Sequence, residues 1–271
     1  MMHVEFRSGT QVLREHEAKP RLTTGILELD SLLAGGLELG TFNLFYGDSE
    51  PFIDRILYNL LCNCQLPRER YGFDAKATLL NCGNYRQEQA LLDLDLATRL
   101  LRANELDPAR GLDQIITVSA FNTDQTKEAV EEVCNIVNSD DQVRLVVARD
   151  LAKLFIEDGI RSKETLGRIQ RLQHLVGKLW QACSERDVSL VASCRPRRMN
   201  TLRPSPPEGG VFLRHLAQVM ICFRKKEESG AHLVYLLKHP RRRPGMAEFS
   251  LNHGDYVMRS NRQDEEKART D

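Results

Sequence analysis

Five short apolar runs, separated by helical stretches of ten or more residues, constrain the fold of this chain more than any other feature. The runs are Phe42–Tyr46, Ala77–Cys82, Gln114–Val118, Val143–Ala148 and Val188–Cys194. The stretches between and after them are Pro51–Gln65, Gln87–Arg102, Asp124–Asn138 and Lys163–Arg186. Leu145-Val146-Val147-Ala148 and Leu190-Val191-Ala192 show no polar alternation, so both of their faces need cover, which is the habit of parallel strands. Parallel neighbours cannot be joined by a tight turn, and the helical stretches are the crossovers they require. The expected fold class is therefore α/β, a mostly parallel central sheet flanked by helices. Gln218–Arg224, Ala231–Lys238 and Met246–Leu251 follow as strands joined by charged turns, giving an antiparallel C-terminal edge. Arg259 to Asp271 is charged and nearly without apolar residues and reads as a disordered tail. The domain reading is a linker or interaction segment at 1–20, one core domain at 21–258 and the tail at 259–271.

Charge and cysteine usage narrow the function classes. Thirty-eight basic residues balance thirty-eight acidic ones, so affinity for nucleic acid must come from local clustering. No apolar run approaches the ~20 residues of a membrane span, and Met1 to Phe6 lacks a signal peptide's apolar centre. The expected location is cytoplasmic, or associated with a nucleoid or nucleus. Of seven cysteines, Cys82, Cys194 and Cys222 fall in expected strands, as reduced thiols acting as small hydrophobes would. Cys62-Asn63-Cys64 has no second Cys/His pair at ligand spacing, so no metal is expected.

Between the first strand and the first crossover helix lies Tyr46-Gly47-Asp48-Ser49-Glu50-Pro51-Phe52-Ile53-Asp54-Arg55, where a phosphate-binding loop belongs. Such a loop reads G-x-x-x-x-G-K-[ST], with glycines to cradle phosphates, a lysine to neutralise them and a hydroxyl for magnesium. Counted from Gly47, Phe52 stands for the second glycine, Ile53 for the lysine and Asp54 for the hydroxyl. Asp48, Glu50 and Asp54 put carboxylates at a helix N-terminus that otherwise attracts phosphate, and Pro51 suits a first helical turn. The expectation is that these side chains take the anion's place and repel a triphosphate.

The segment just upstream, Leu22-Thr23-Thr24-Gly25-Ile26-Leu27-Glu28-Leu29-Asp30-Ser31-Leu32-Leu33-Ala34-Gly35-Gly36-Leu37-Glu38-Leu39-Gly40, resembles the T-G-x-x-x-L-D-x-L-L-x-G-G-[IL]-x-x-G pattern that precedes the P-loop in RadA-type recombinases. The resemblance runs over roughly residues 6 to 251 and implies a RecA-like core. It also implies that active relatives form ATP-dependent filaments on single-stranded DNA; no counterpart of their N-terminal helical domain is read in these residues. Further positions follow from it. The strand that should end in an activating carboxylate before Phe-Arg reads Leu79-Leu80-Asn81-Cys82-Gly83-Asn84-Tyr85-Arg86, with no carboxylate. The strand that should end in the magnesium aspartate runs into Arg149, with Asp150 one residue late. Strand alternation is expected to turn that late carboxylate the wrong way, and Arg149 would repel a divalent cation.

The resemblance implies contact residues as well. Phe6-Arg7-Ser8-Gly9 resembles the F-x-x-A hook by which recombinase subunits join, with Phe6 and Gly9 as partner-binding residues, although Ser8 or Thr10 also reads as an ordinary helix cap. The basic stretch from Arg195 to Gly210 falls at the second DNA loop, with Arg195, Arg197, Arg198 and Arg203 as candidate phosphate contacts. Arg161 and Lys163 fall at the first DNA loop, beside Glu157 and Asp158. His215 occupies the place of a histidine that senses nucleotide in an adjacent subunit. Lys238 replaces an aspartate of the cap segment, where it or Arg241–Arg243 would reach phosphates or merely solubilise a turn.

The sequence reading is a non-catalytic recombinase paralogue, a pseudo-ATPase that assists homologous recombination and DNA repair. Its expected partners are a RadA-type recombinase or another paralogue, and DNA, expected to be single-stranded. No cofactor is expected, and ATP enters only as a ligand held by a partner subunit. Two alternatives stay open: a divergent DNA-dependent ATPase built around Asp150, and a RecA-like scaffold with no DNA role.

Overall fold

In the computed structural model the described residues are 8–83, 92–156, 163–197, 204–226 and 231–249. Phe6, Asn84, Tyr85, Arg86, Arg161, Arg198, Arg203 and the tail lie outside them. The elements in chain order are α1 (Gly9–Glu17), β1 (Arg21–Leu22), α2 (Leu27–Leu32), β2 (Leu37–Glu38), β3 (Phe42–Gly47) and α3 (Glu50–Asn63). There follow β4 (Lys76–Cys82), α4 (Leu94–Ala103), α5 (Pro108–Asp113), β5 (Ile115–Ala120), α6 (Thr123–Ser139) and β6 (Val143–Arg149). The last are α7 (Lys163–Glu185), β7 (Ser189–Cys194), α8 (Gly210–Leu216), β8 (Val219–Lys225), β9 (His232–Lys238) and β10 (Gly245–Phe249).

The main sheet has eight strands in the order β10-β9-β8-β3-β7-β6-β4-β5. Every pairing from β8 to β5 is parallel, whereas β8–β9 and β9–β10 are antiparallel. This is the expected α/β architecture with an antiparallel edge. Alternation decides which residues face which helix layer. On one face Phe45, Leu79, Val147, Val191 and Phe223 pack with α3 and α4. On the other, Phe42, Leu44, Tyr46, Val146 and Ala192 pack with α6, α7 and α8. Each fully buried Leu or Phe in these layers contributes about 1.5–3 kcal/mol.

Three local features refine the sequence reading. Residues 9–17 form a helix, opened by a reciprocal cap: Ser8 N–H donates to Gln11 Oε1 (2.9 Å) and Gln11 N–H to Ser8 Oγ (3.2 Å). Gly9, read as the small residue of a hook, is the exposed first residue of that helix. The helix expected over Gln87–Arg102 starts only at Leu94 among the described residues, where the Asp93 carboxylate accepts from Leu96 N–H (2.9 Å). A two-stranded β1–β2 ribbon flanks α2 before β3, where the sequence carries turn and helix signals.

The segment that carries the recombinase resemblance works as a clasp. Buried Asp30 accepts from Thr24 N–H (2.8 Å) and Thr24 Oγ1 (2.7 Å) and from the Thr23 hydroxyl. The Thr23 and Thr24 carbonyls in turn accept from Asn63 and Asn59 of α3, both at 3.0 Å. At Gly36 (φ 112°) a Cβ would meet the Leu22 carbonyl oxygen at 2.3 Å, so only glycine closes this loop. Thus α3 is anchored from its outer side by residues that precede β3.

Candidate functional site at the carboxyl ends of the central strands

In open α/β sheets ligands bind beyond the carboxyl ends of the strands, and a cavity of about 270 Å³ lies there. The first turn of α3 (Glu50, Ile53, Asp54), the end of β6 (Arg149, Asp150, Lys153) and the end of β7 (Ser193, Cys194, Arg195) line it. Its wall contains the segment read as a failed P-loop.

Each altered P-loop position has a definite new partner. Gly47 is required by close approach: a Cβ there would lie 1.8 Å from the Phe223 carbonyl oxygen, so the glycine serves the β3–β8 contact. Phe52 is buried, stacks on His232 (centroids 4.2 Å apart, planes 20° apart) and meets Phe223 edge-on at 5.7 Å. Ile53 is 3% exposed and belongs to the same apolar layer as α4. Where a phosphate cradle needs open backbone and a cation, this loop holds a ring and an aliphatic side chain.

Asp54 and Arg149 form the centre of the site. The Arg149 guanidinium donates from Nε to Asp54 Oδ1 (2.8 Å) and from Nη2 to Asp54 Oδ2, a two-point ion pair between α3 and β6. These are the two positions at which the resemblance puts the magnesium ligands. A guanidinium and a carboxylate fill the space between them. Burial pushes the Asp54 carboxyl above its ordinary value, while the Arg149 hydrogen bond and charge pull it back.

Two expectations are corrected by this geometry. Asp48 and Asp54 do not stand in for phosphate. Asp48 accepts from Lys225 N–H (3.0 Å) and Arg224 Nε (3.4 Å) on β8, and Asp54 from Arg149; Glu50 is exposed. Ser49 occupies the cap position without a side-chain bond to the helix, sharing instead a 3.1 Å hydrogen bond with His232 Nδ1. Nor is Asp150 turned away by strand alternation. β6 ends at Arg149, and Asp150 leaves it with φ 56°, lines the cavity and pairs with Lys153 at 3.2 Å. Its N–H donates to Ser193 Oγ (3.0 Å), tying β6 to β7.

The candidate contact residues fall in different places. Arg195 is half-buried against Glu208 (3.3 Å), and Glu208 N–H donates back to the Arg195 carbonyl (2.9 Å). Pro196 faces Pro207, and Arg197 N–H reaches the Pro206 carbonyl (2.8 Å), so the arginine loop leaves the sheet on a short two-stranded stem. The Arg197 side chain is exposed. Lys163 opens α7. His215 is exposed on α8. The Lys238 ammonium donates to the carbonyls of Arg214 (3.0 Å), His215 (3.1 Å) and Ala217 (2.6 Å), closing the C-terminus of α8. With three donors and three carbonyls, Lys238 holds α8 in place. Sequence reasoning missed the Asp54–Arg149 pair, though the signal was present: opposite charges had appeared at two positions that normally share one ion.

Comparison with known proteins agrees with the fold. A relative 25% identical over 257 residues is the DNA repair and recombination protein RadA of Metallosphaera sedula; the match covers 93% of this chain and 76% of the relative. The Rad51 family profile matches residues 16–254, from the end of α1 past β10. This chain belongs to the Rad51 family.

Proposed function

We propose that this chain is a non-hydrolysing subunit in DNA recombination and repair, one that assists a recombinase-type partner and contacts DNA through its arginine loop. The observation that carries the reading is the Asp54–Arg149 ion pair at the two expected magnesium positions. A divalent cation there would have to displace a guanidinium, and a triphosphate would have to displace Phe52 and Ile53 from the core. Such a subunit cannot leave a filament through its own hydrolysis, so it would nucleate, cap or stabilise one. Phe6 and the exposed Arg197 are the residues proposed to meet partner and DNA.

The test is the thermal midpoint of the isolated chain with and without millimolar Mg-ATP, together with phosphate release. A ligand present at a hundred times its Kd adds about 2.7 kcal/mol of stability; no shift and no phosphate release are expected. A second reading, a divergent ATPase, draws on Asp150 and Lys153 lining the same cavity. Phosphate release, with a Mg-ATP shift that Asp150→Asn abolishes, would establish it and overturn the first. Recovery of a recombinase-type protein by the wild-type chain, lost in Phe6→Ala, is the expected partner result; equal recovery by both would remove the hook.

A further inference from the structure

At the end of the sheet opposite the cavity, β1 and the β9–β10 turn bring a group of cations together. Lys238 closes β9 opposite Met220 near the start of β8. The turn that follows therefore lies beside the amino ends of the parallel strands, about 20 Å from the cavity at ~3.3 Å per residue. Arg21 of β1 and Arg241 of the turn both bind the Glu38 carboxylate, Arg21 at 3.7 Å. Arg21 and Arg241 keep 18% and 32% of their side-chain exposure, so the pair is partly withdrawn from water. Arg242 and Arg243 are exposed beside them, between Pro240 and Pro244. Glu17 adds the field of a second carboxylate, and Lys19 pairs with Asp187 at 4.0 Å.

The cations act on one another. Burial and then Arg242 lower the proton affinity of Arg21; burial and then Arg21 lower that of Arg241. His239, whose Nδ1 accepts from Arg241 N–H (3.1 Å), is held below its ordinary value by burial, Arg21 and Arg242. Glu38, Glu17 and Asp187 stand among these cations, yet Arg21, Arg241 and Arg242 still converge closely enough to act on one another at mutual cost. An anion laid across them relieves that cost. Guanidiniums are the side chains best shaped for phosphate. The exposed run Arg241–Pro244 makes an open surface and not a closed pocket, which suits an extended ligand better than a single phosphate.

We propose that Arg21, Arg241, Arg242 and Arg243 form a second phosphate-binding surface that grips a nucleic-acid backbone at the end of the sheet remote from the arginine loop. The inference shares the nucleic-acid reading given above but stands on different residues, and the experiment separates the two. A fluorescein-labelled single-stranded oligonucleotide and its duplex are titrated over a salt series against wild type, Arg197→Ala and Arg242→Ala/Arg243→Ala. Both arginines of the double variant are exposed, and an unchanged thermal midpoint checks folding. In the double variant, affinity should fall about tenfold. The slope of log K against log salt should flatten by roughly 1.4 to 1.8, the value for two lost phosphate contacts. The loss should be equal for unrelated sequences and additive with Arg197→Ala. Wild-type affinity and slope in the double variant would overturn the second surface, and a loss in Arg197→Ala would then leave the loop reading standing. Absence of binding by wild type at low salt would overturn both. Displacement of the oligonucleotide by polyglutamate at equal charge concentration would show that the surface takes an acidic chain instead, and would also overturn the proposal.

Discussion

Asp54 and Arg149 show how two opposite charges at the carboxyl ends of the strands answer one another. A carboxylate where a hydroxyl belongs and a guanidinium where a carboxylate belongs are each unfavourable alone in a half-buried cavity. Together they satisfy one another with two hydrogen bonds. The Asp54 carboxyl nonetheless stays above its ordinary value, so burial costs more than Arg149 returns. Asp54→Ala or Arg149→Ala alone should then destabilise by about 1–3 kcal/mol, while Asp54→Leu/Arg149→Met should be neutral or stabilising. Urea unfolding of the three variants checks this; a double variant weaker than both singles would refute it. The pH dependence has a definite sign. The folded carboxyl binds its proton more readily than the unfolded one, so this group's contribution to stability rises as pH falls through its raised value. It levels off below the unfolded value near 3.8. That slope should vanish in the double variant.

Among the elements, α8 shows a residue type legible in sequence as unusual whose contacts only the structure gives. Lys238 is distinctive in sequence because it replaces an acidic cap residue, but its ammonium holds the open carbonyls of a seven-residue helix. A helix that short depends on tertiary support. Lys238→Met should cost about 1–2 kcal/mol and speed amide exchange over Gly210–Leu216 while leaving α3 unchanged; uniform exchange in both helices would count against it. The strands were legible because burial on both faces leaves a continuous apolar run, as in β6 and β7. The β1–β2 ribbon was not, because two-residue strands carry no period. Helix α1 was legible only as an alternative, through Ser8 as a helix cap, in a stretch read as a linker or interaction segment; its Ser8–Gln11 capping box marks the start.

At the scale of the molecule, two apolar layers enclose one sheet, and all seven cysteines lie within them or beside them as buried thiols. Burial raises the Cys62 thiol to about 12 and moves Cys64, Cys82, Cys183 and Cys194 in the same direction. Ellman's reagent should therefore find no fast-reacting thiol in the native chain and seven in denaturant; one rapid native thiol would show that a layer is open. No helix among the described residues is long and apolar enough to cross a membrane. The sequence by itself determined the parallel sheet, the antiparallel edge, the Rad51-family segment before β3 and the departures from the P-loop pattern at Phe52, Ile53 and Asp54, because each is written in local period or in residue type. The tertiary structure alone decided what the residues at those positions touch. Asp54 and Arg149 are 95 residues apart, Lys238 meets α8 from 21 to 24 residues away, and Arg21 reaches Arg241 through Glu38. Charge complementarity between distant residues leaves no periodic trace in a chain; it exists only once the sheet has brought the strand ends together.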